Sequence, residues 1–174
     1  MREIEAKILE IDPEEIIPRI EARGGQKSFE GEVRALYFDF PDGRLGAEQA
    51  VLRLRSLGEE CELTLKRVVS AAGAKESIET EIRPESFEAA KRLLEGLGLV
   101  QIREAKKHRI RFDRAAFRYE LDTYDGLPPL LEVEAPSTEE LRSEVAALGL
   151  DPERLLAWNA FQVLDHYEGM GTER

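Results

Sequence analysis

Alternation of polar and apolar positions dominates this chain. Period-two patterning predicts strands over 2–11, 26–40, 50–57, 60–68, 76–83, 99–112, 117–124 and 130–135. Helical spacing fills the intervals. Ile16, Ile17 and Ile20 follow an Asp12-Pro13-Glu14-Glu15 start and stop at Gly24-Gly25. Phe87, Ala90, Leu94 and Leu97 share one face of 85–97, and Ser137-Thr138-Glu139-Glu140 has the form of a capping box before 138–148. A last helix is expected to open at Asp151-Pro152 and to carry Leu155, Leu156, Trp158, Phe161 and Leu164, with the final five or so residues frayed. Pro41-Asp42-Gly43 reads as a turn and Ala71-Ala72-Gly73-Ala74 as a flexible loop. About eight mostly sequential strands and four helices point to an α+β fold, an antiparallel sheet or barrel with helices packed outside, in a single domain over 1–174.

Sorting each strand by parity changes the picture, because successive side chains point to opposite faces. Glu3, Glu5 and Lys7 share a face in the first strand. Arg53 and Arg55 do so in the third, Glu62, Thr64 and Lys66 in the fourth, and Glu79, Glu81 and Arg83 in the fifth. The later strands contribute Lys107, Arg109 and Arg111, then Arg118, Glu120 and Asp122, and finally Glu132 and Glu134. A solvent-facing side of an ordinary antiparallel sheet explains one such strand; seven together, with almost no Ser or Gln, call for another explanation. The helices need apolar partners, and the opposite strand faces supply them. The charged faces then point into a closed barrel, and about eight strands enclose room for one small ligand. Such an interior carries a large desolvation penalty unless it stays wet or binds something charged. Carboxylates suit hard divalent cations such as Mg²⁺ or Mn²⁺, and Arg and Lys suit phosphate oxygens, so the set implies a metal–polyphosphate complex.

Composition narrows the classes further. The chain has 174 residues, enough for a sizeable core, and 42% of them are hydrophobic. Its net charge of −11 disfavours non-specific nucleic-acid binding, which rests on phosphate contacts. No run of about 18 apolar residues predicts a membrane span. The start Met1-Arg2-Glu3-Ile4 reads as a strand rather than a signal peptide, so a cytoplasmic location is the expectation. Cys61 is the only cysteine; it alternates with Leu63 and Leu65 as a buried hydrophobe and rules out an intrachain disulfide or a cysteine metal cluster. His108 and His166, the two histidines, sit in no local motif, and Ser/His/Asp chemistry has no support.

The charged blocks resemble a known family. Glu3-Ile4-Glu5-Ala6-Lys7 is similar to the ExExK signature of the CYTH superfamily, the triphosphate tunnel metalloenzymes. Tyr37-Phe38-Asp39, Leu52-Arg53-Leu54-Arg55, Leu63-Thr64-Leu65-Lys66, the Glu79/Glu81 pair, the Lys107/Arg109 pair, Leu121-Asp122 and Glu132-Val133-Glu134 follow in that family's order, over residues 3 to about 135. Ala35 stands where many members carry Asp or Asn, and Trp158-Asn159-Ala160-Phe161 replaces a Ser-Tyr block. The resemblance implies an eight-stranded antiparallel tunnel acting on triphosphates with Mg²⁺ or Mn²⁺. It implies metal ligands among Glu3, Glu5, Asp122, Glu132 and Glu134, and phosphate binding by Lys7, Arg53, Arg55, Lys66, Lys107 and Arg109. Lys7 and Glu5 are the expected catalytic residues. Hydrolysis of inorganic triphosphate, ATP or thiamine triphosphate is favoured over a class IV adenylate cyclase reaction, since the sequence identifies no base-reading pocket. A non-catalytic polyphosphate or nucleotide binder is the remaining alternative, and relatives in the cyclase-like branch imply a homodimer.

Overall fold

The structure is a computed structural model that describes residues 2–71 and 73–171. Its strands are β1 (Arg2–Leu9), β2 (Gln26–Asp39), β3 (Ala50–Leu57), β4 (Glu60–Ser70), β5 (Lys75–Ile82), β6 (Val100–Arg114), β7 (Phe117–Tyr124) and β8 (Leu130–Ala135). Its helices are α1 (Pro13–Ala22), the single turn α2 (Arg44–Ala47), α3 (Phe87–Gly96), α4 (Thr138–Ala147) and α5 (Ala160–Gly171). The strands close into an antiparallel barrel in the order β1-β5-β4-β3-β2-β6-β7-β8. The eight-stranded barrel with outer helices therefore stands as the sequence predicts. Gly58, in the left-handed region at φ 60°, makes the tight β3–β4 hairpin possible. Of the last five or so residues, where fraying is expected, α5 extends through Gly171 and 172–174 lie outside the described residues.

Apolar strand faces meet the helices outside. Ile4, Ala6 and Ile8 of β1, with Tyr119, Leu121, Leu131 and Val133, pack against Ile16 and Ile20 of α1 and Leu141 and Val145 of α4. Leu36, Phe38 and Leu54 lie under Ala90 and Leu94 of α3. A third cluster is different in kind. Ala35, Tyr37, Ala105, Tyr124 and Leu130 have inward parity and pack with Val163, Trp158 and Phe161. Thus α5 closes one end of the barrel over an apolar ring, rather than covering its side.

The last helix begins later than the sequence predicts. Residues Pro152–Arg154 form one 3₁₀ turn, 155–159 are not helical, and α5 starts at Ala160. The cause is an unpaired strand edge. β1 pairs β5 only from Arg2 to Glu5, so the backbone of Lys7 has no neighbour on that side. Leu156 fills the gap: Lys7 N–H donates to the Leu156 carbonyl and Leu156 N–H to the Lys7 carbonyl, each at 2.9 Å. Asn159 and Gln162 then cap α5 reciprocally, each side-chain oxygen accepting from the other's N–H at 2.9 Å.

Glu144 anchors α4 outside the barrel. Its buried carboxylate accepts from Arg23 Nε and Nη2 at 2.8 Å, Arg114 Nη2 at 2.7 Å and the Tyr119 hydroxyl at 2.7 Å. Removing it leaves two partly buried guanidinium groups and a hydroxyl without their acceptor. Glu144→Ala is expected to destabilise the fold by about 3 kcal/mol, measured by urea unfolding.

Candidate functional site

Strand register sets acid against base across the barrel interior. Lys7 lies opposite Glu132, Arg55 opposite Glu62, Lys66 opposite Glu79, Arg109 opposite Asp122 and Arg111 opposite Glu120. Cross-strand neighbours on one face approach closely enough to pair. The pairs divide the interior into two compartments.

The compartment beneath α5 is a small cavity of about 70 Å³. Six cationic side chains line it: Lys7, Arg53, Lys66, Lys75, Lys107 and Arg109. Glu5 and Glu132 are its only lining carboxylates among the described residues. Lys66 Nζ sits 2.9 Å from both Glu5 and Glu79 and also bonds Glu3. Lys7 pairs with Glu132 and lies 3.6 Å from Glu5; Lys75 pairs with Glu5. Asp122 accepts from Lys107 at 2.6 Å and from Arg109 Nε and Nη2 at 2.6 and 2.7 Å, while Glu120 pairs with the same guanidinium. Arg53 Nε is buried with no hydrogen-bond partner among the described residues. Burial pushes the Lys75 ammonium down to about 8, and burial and Arg109 lower Lys107. Lys7 and Lys66 shift the other way, raised against burial by the Glu132, Glu5 and Glu3 carboxylates beside them, so it is the excess of six cations over two carboxylates in the lining that suits the compartment to a polyanion.

The second compartment is wider, about 820 Å³, and its charged lining includes Glu3, Arg55, Glu62, Arg111, Arg118 and Glu134. Arg55 lines this compartment and not the inner one, its Nε 2.5 Å from Glu62, while Arg53 and Arg109 of the inner cluster lie near enough to help burial lower its pKa. Between the compartments stand two carboxylate triads, Glu3/Glu5/Glu134 and Glu120/Glu132/Glu134, each offering three oxygens within 4.8 Å of one another. Glu134 belongs to both. Burial and the neighbouring Glu120 and Glu3 carboxylates hold its carboxyl well above the usual range. Burial and Glu5 also raise Glu3. Oxygen donors crowded this closely fit a hard divalent cation, which relieves the repulsion. Arg118 Nη1, 3.4 Å from Glu134, is a remote partner for so much negative charge.

Glu5 and Asp122 shift the other way. Burial opposes ionisation of both, but Lys7, Lys75 and Lys66 hold Glu5 at about 2, and Arg109 and Lys107 hold Asp122 at about 2. Their ordinary values are 4.5 and 3.8. A folded-state value below the unfolded one contributes stability that is present above the ordinary value and lost as pH falls through the depressed one. Thermal melts of the metal-free chain should therefore drop steeply between pH 4.5 and 2. A flat profile across that window would remove these ion pairs from the folded state.

The structure brings Lys7, Arg53, Lys66, Lys107 and Arg109 together as the sequence suggests, and places Glu3, Glu5, Glu132 and Glu134 in the triads. Asp122 stands with the cations and outside both triads. Sequence reasoning missed Lys75, Tyr37 and Tyr124 as lining residues. Carrying the β5 alternation two positions back through Ser77 would have found Lys75.

Comparison with known proteins shows the family and the fold. The family model described as the CYTH domain matches residues 1–154. The chain belongs to the CYTH domain family. No curated protein matches this CYTH chain. The PH1012 protein of Pyrococcus horikoshii has a similar fold, with 23% identity, a TM-score of 0.78, and coverage of 92% of this chain and 98% of that one. A Vibrio parahaemolyticus protein described as a candidate adenylate cyclase superposes with a TM-score of 0.83 at 18% identity, covering 94% of this chain and 97% of its own. A Hippeastrum protein described as a candidate adenylyl cyclase with a dominant triphosphatase activity has a TM-score of 0.69 at 17% identity, covering 94% of this chain and 95% of its own. At these identities the three share its fold. Among the described residues no helix is long and apolar enough to cross a membrane.

Proposed function

We propose that this CYTH protein hydrolyses triphosphates inside its barrel with the help of Mg²⁺ or Mn²⁺. One observation carries the reading: a compartment lined by six cations abuts two carboxylate triads joined through Glu134. Anion-seeking and cation-seeking groups placed side by side match a polyphosphate and its divalent counterion. Arg53, Lys66, Lys107 and Arg109 hold the phosphate chain, with Lys75 as a further contact and Arg55 reaching it from the wider compartment. Asp122 orients Arg109 and Lys107. Glu3, Glu5 and Glu134, together with Glu120 and Glu132, hold the cation. When bound, it would neutralise phosphate charge and polarise a water. Lys7 stays protonated between Glu132 and Glu5 and stabilises the charge that builds on the transferred group. Glu5 is fully ionised at neutral pH, so it positions Lys7, Lys66 and Lys75 rather than accepting a proton.

The test is product analysis. The purified protein is incubated with Mg²⁺ or Mn²⁺ and, separately, with inorganic triphosphate, ATP and thiamine triphosphate, and the products are resolved by chromatography. Orthophosphate is the expected product. Cyclic AMP with pyrophosphate from ATP would replace hydrolysis by cyclisation, and no product from any of the three would leave a binding protein.

A further inference from the structure

The chain has four tyrosines, and their hydroxyls fall into two pairs. Tyr119 donates to Glu144 at 2.7 Å and Tyr167 to Glu10 at 3.4 Å. The hydroxyls of Tyr37 and Tyr124 have no hydrogen-bond partner among the described residues, and these are the two tyrosines that line the inner compartment. An inward polar group without a partner is a place for a ligand to complete. Tyr37 is drawn towards α5 by an edge contact with Phe161, at 4.6 Å between ring centroids. Tyr124 stands among the cations instead. It is 6% exposed, lies directly across from Lys107 on the inward face of β7, and has the Lys107 Nζ 5.4 Å from its ring centroid. The ring also walls a groove of about 360 Å³ between β6 and α5. The strongest charges acting on the hydroxyl decide which side it faces. They are Asp122, Lys7, Arg109 and Glu132, all members of the inner ion pairs, and none of them lines the groove.

We propose that the Tyr124 hydroxyl donates a hydrogen bond to a non-bridging oxygen of the bound phosphate chain. This rests on the triphosphate reading above and adds to it a binding residue from outside the charged set. A phenol, with an ordinary pKa of about 10, is an O–H donor at neutral pH. Lys7 and Arg109 act on the same hydroxyl and draw anions to it, so the group that meets it is rich in acceptor oxygens. Tyr124 also supplies what a seventh cation would not. Lys107 is already lowered by burial and by Arg109, so each further positive charge adds repulsion in the compartment. A neutral donor binds a phosphate oxygen without that repulsion. The ring is fixed against Lys107, and Lys107 is itself paired to Asp122 at 2.6 Å, so the phenol is in place before substrate arrives. The bond forms on binding and persists through the reaction, so it acts on KM rather than on kcat.

Tyr124→Phe tests this, because it keeps the ring beside Lys107 and deletes only the oxygen. Wild type and variant, checked by thermal melts for equal folding, are compared in steady-state turnover of inorganic triphosphate with Mg²⁺. They are also compared in calorimetric binding of diimidotriphosphate, a hydrolysis-resistant analogue, with Mg²⁺. The expected result is a KM and a Kd about tenfold higher in the variant, with kcat within about twofold of wild type. Protein labelled with ¹³C at the tyrosine Cζ supplies a readout that a packing role would not move. The signal missing from Tyr124→Phe should shift in wild type when the analogue is added, while those of Tyr119 and Tyr167, held by Glu144 and Glu10, stay in place. An unmoved Tyr124 signal with the analogue bound, an unchanged KM and Kd, or a loss confined to kcat would overturn the assignment. Wild type that neither turns over inorganic triphosphate nor binds the analogue would overturn the triphosphate reading, and this assignment with it.

Discussion

Arg109→Ala should lose about 3–5 kcal/mol of folding stability and nearly all triphosphate turnover, the largest double effect expected of any single change in the barrel. Arg109 is only 2% exposed and is the shared partner of Asp122 and Glu120. Truncation leaves two buried carboxylates facing each other, with Lys107 and Arg111 alone to compensate. It also removes a phosphate-facing guanidinium. Arg109→Lys keeps the charge but cannot bridge both carboxylates with one ammonium, so it should recover part of the stability and little of the activity. Urea unfolding and steady-state turnover measure the two effects separately. A loss below about 1 kcal/mol for the alanine variant would mean that the interior is solvated well enough to tolerate unpaired charge.

Glu134→Gln should behave in the opposite way towards stability. Glu134 sits against Glu3, Glu120 and Glu132, and its carboxyl is held well above the usual range by burial and by those neighbours. The folded chain therefore keeps a proton that the unfolded chain has released above the ordinary value of 4.5. By linkage, stability falls as pH rises from there through the elevated folded-state value. The amide removes that dependence, so the metal-free variant should melt above wild type at neutral pH. Turnover should drop by about 100-fold or more, because both triads lose a donor at once. Thermal melts across pH, with and without Mg²⁺, check the first effect, and steady-state rates the second. Activity near that of wild type would take Glu134 out of the cation site.

Most of this site was legible because the barrel interior is charged and strands alternate strictly. Glu3, Glu5 and Lys7 declare the inner face of β1 without any knowledge of its neighbours, and the same holds for β3 to β8. The β2 strand hid its inner face, since Val33, Ala35 and Tyr37 look like an ordinary core stripe. That apolar stripe helps to form the ring under α5, and parity alone cannot say that a helix covers it. Lys75 was lost because the flexible-looking Ala71-Ala72-Gly73-Ala74 stretch concealed the start of β5. The segment 155–159 misled for a non-local reason. Leu155, Leu156 and Trp158 fit a helical apolar face, yet Leu156 is drawn into pairing by the bare edge of β1, about 150 residues earlier, which no local pattern encodes.

The most direct test is a thermal melt of the metal-free protein with inorganic triphosphate alone, Mg²⁺ alone, and both together, in wild type and in Arg53→Ala. A ligand held only by the folded state raises the melting temperature by mass action. Triphosphate and Mg²⁺ together should raise it more than the sum of their separate effects in wild type, and Arg53→Ala, lacking the guanidinium whose buried Nε has no hydrogen-bond partner among the described residues, should lose most of that gain. An unchanged melting temperature with both present would mean that the charged interior only balances itself and binds no metal–triphosphate complex.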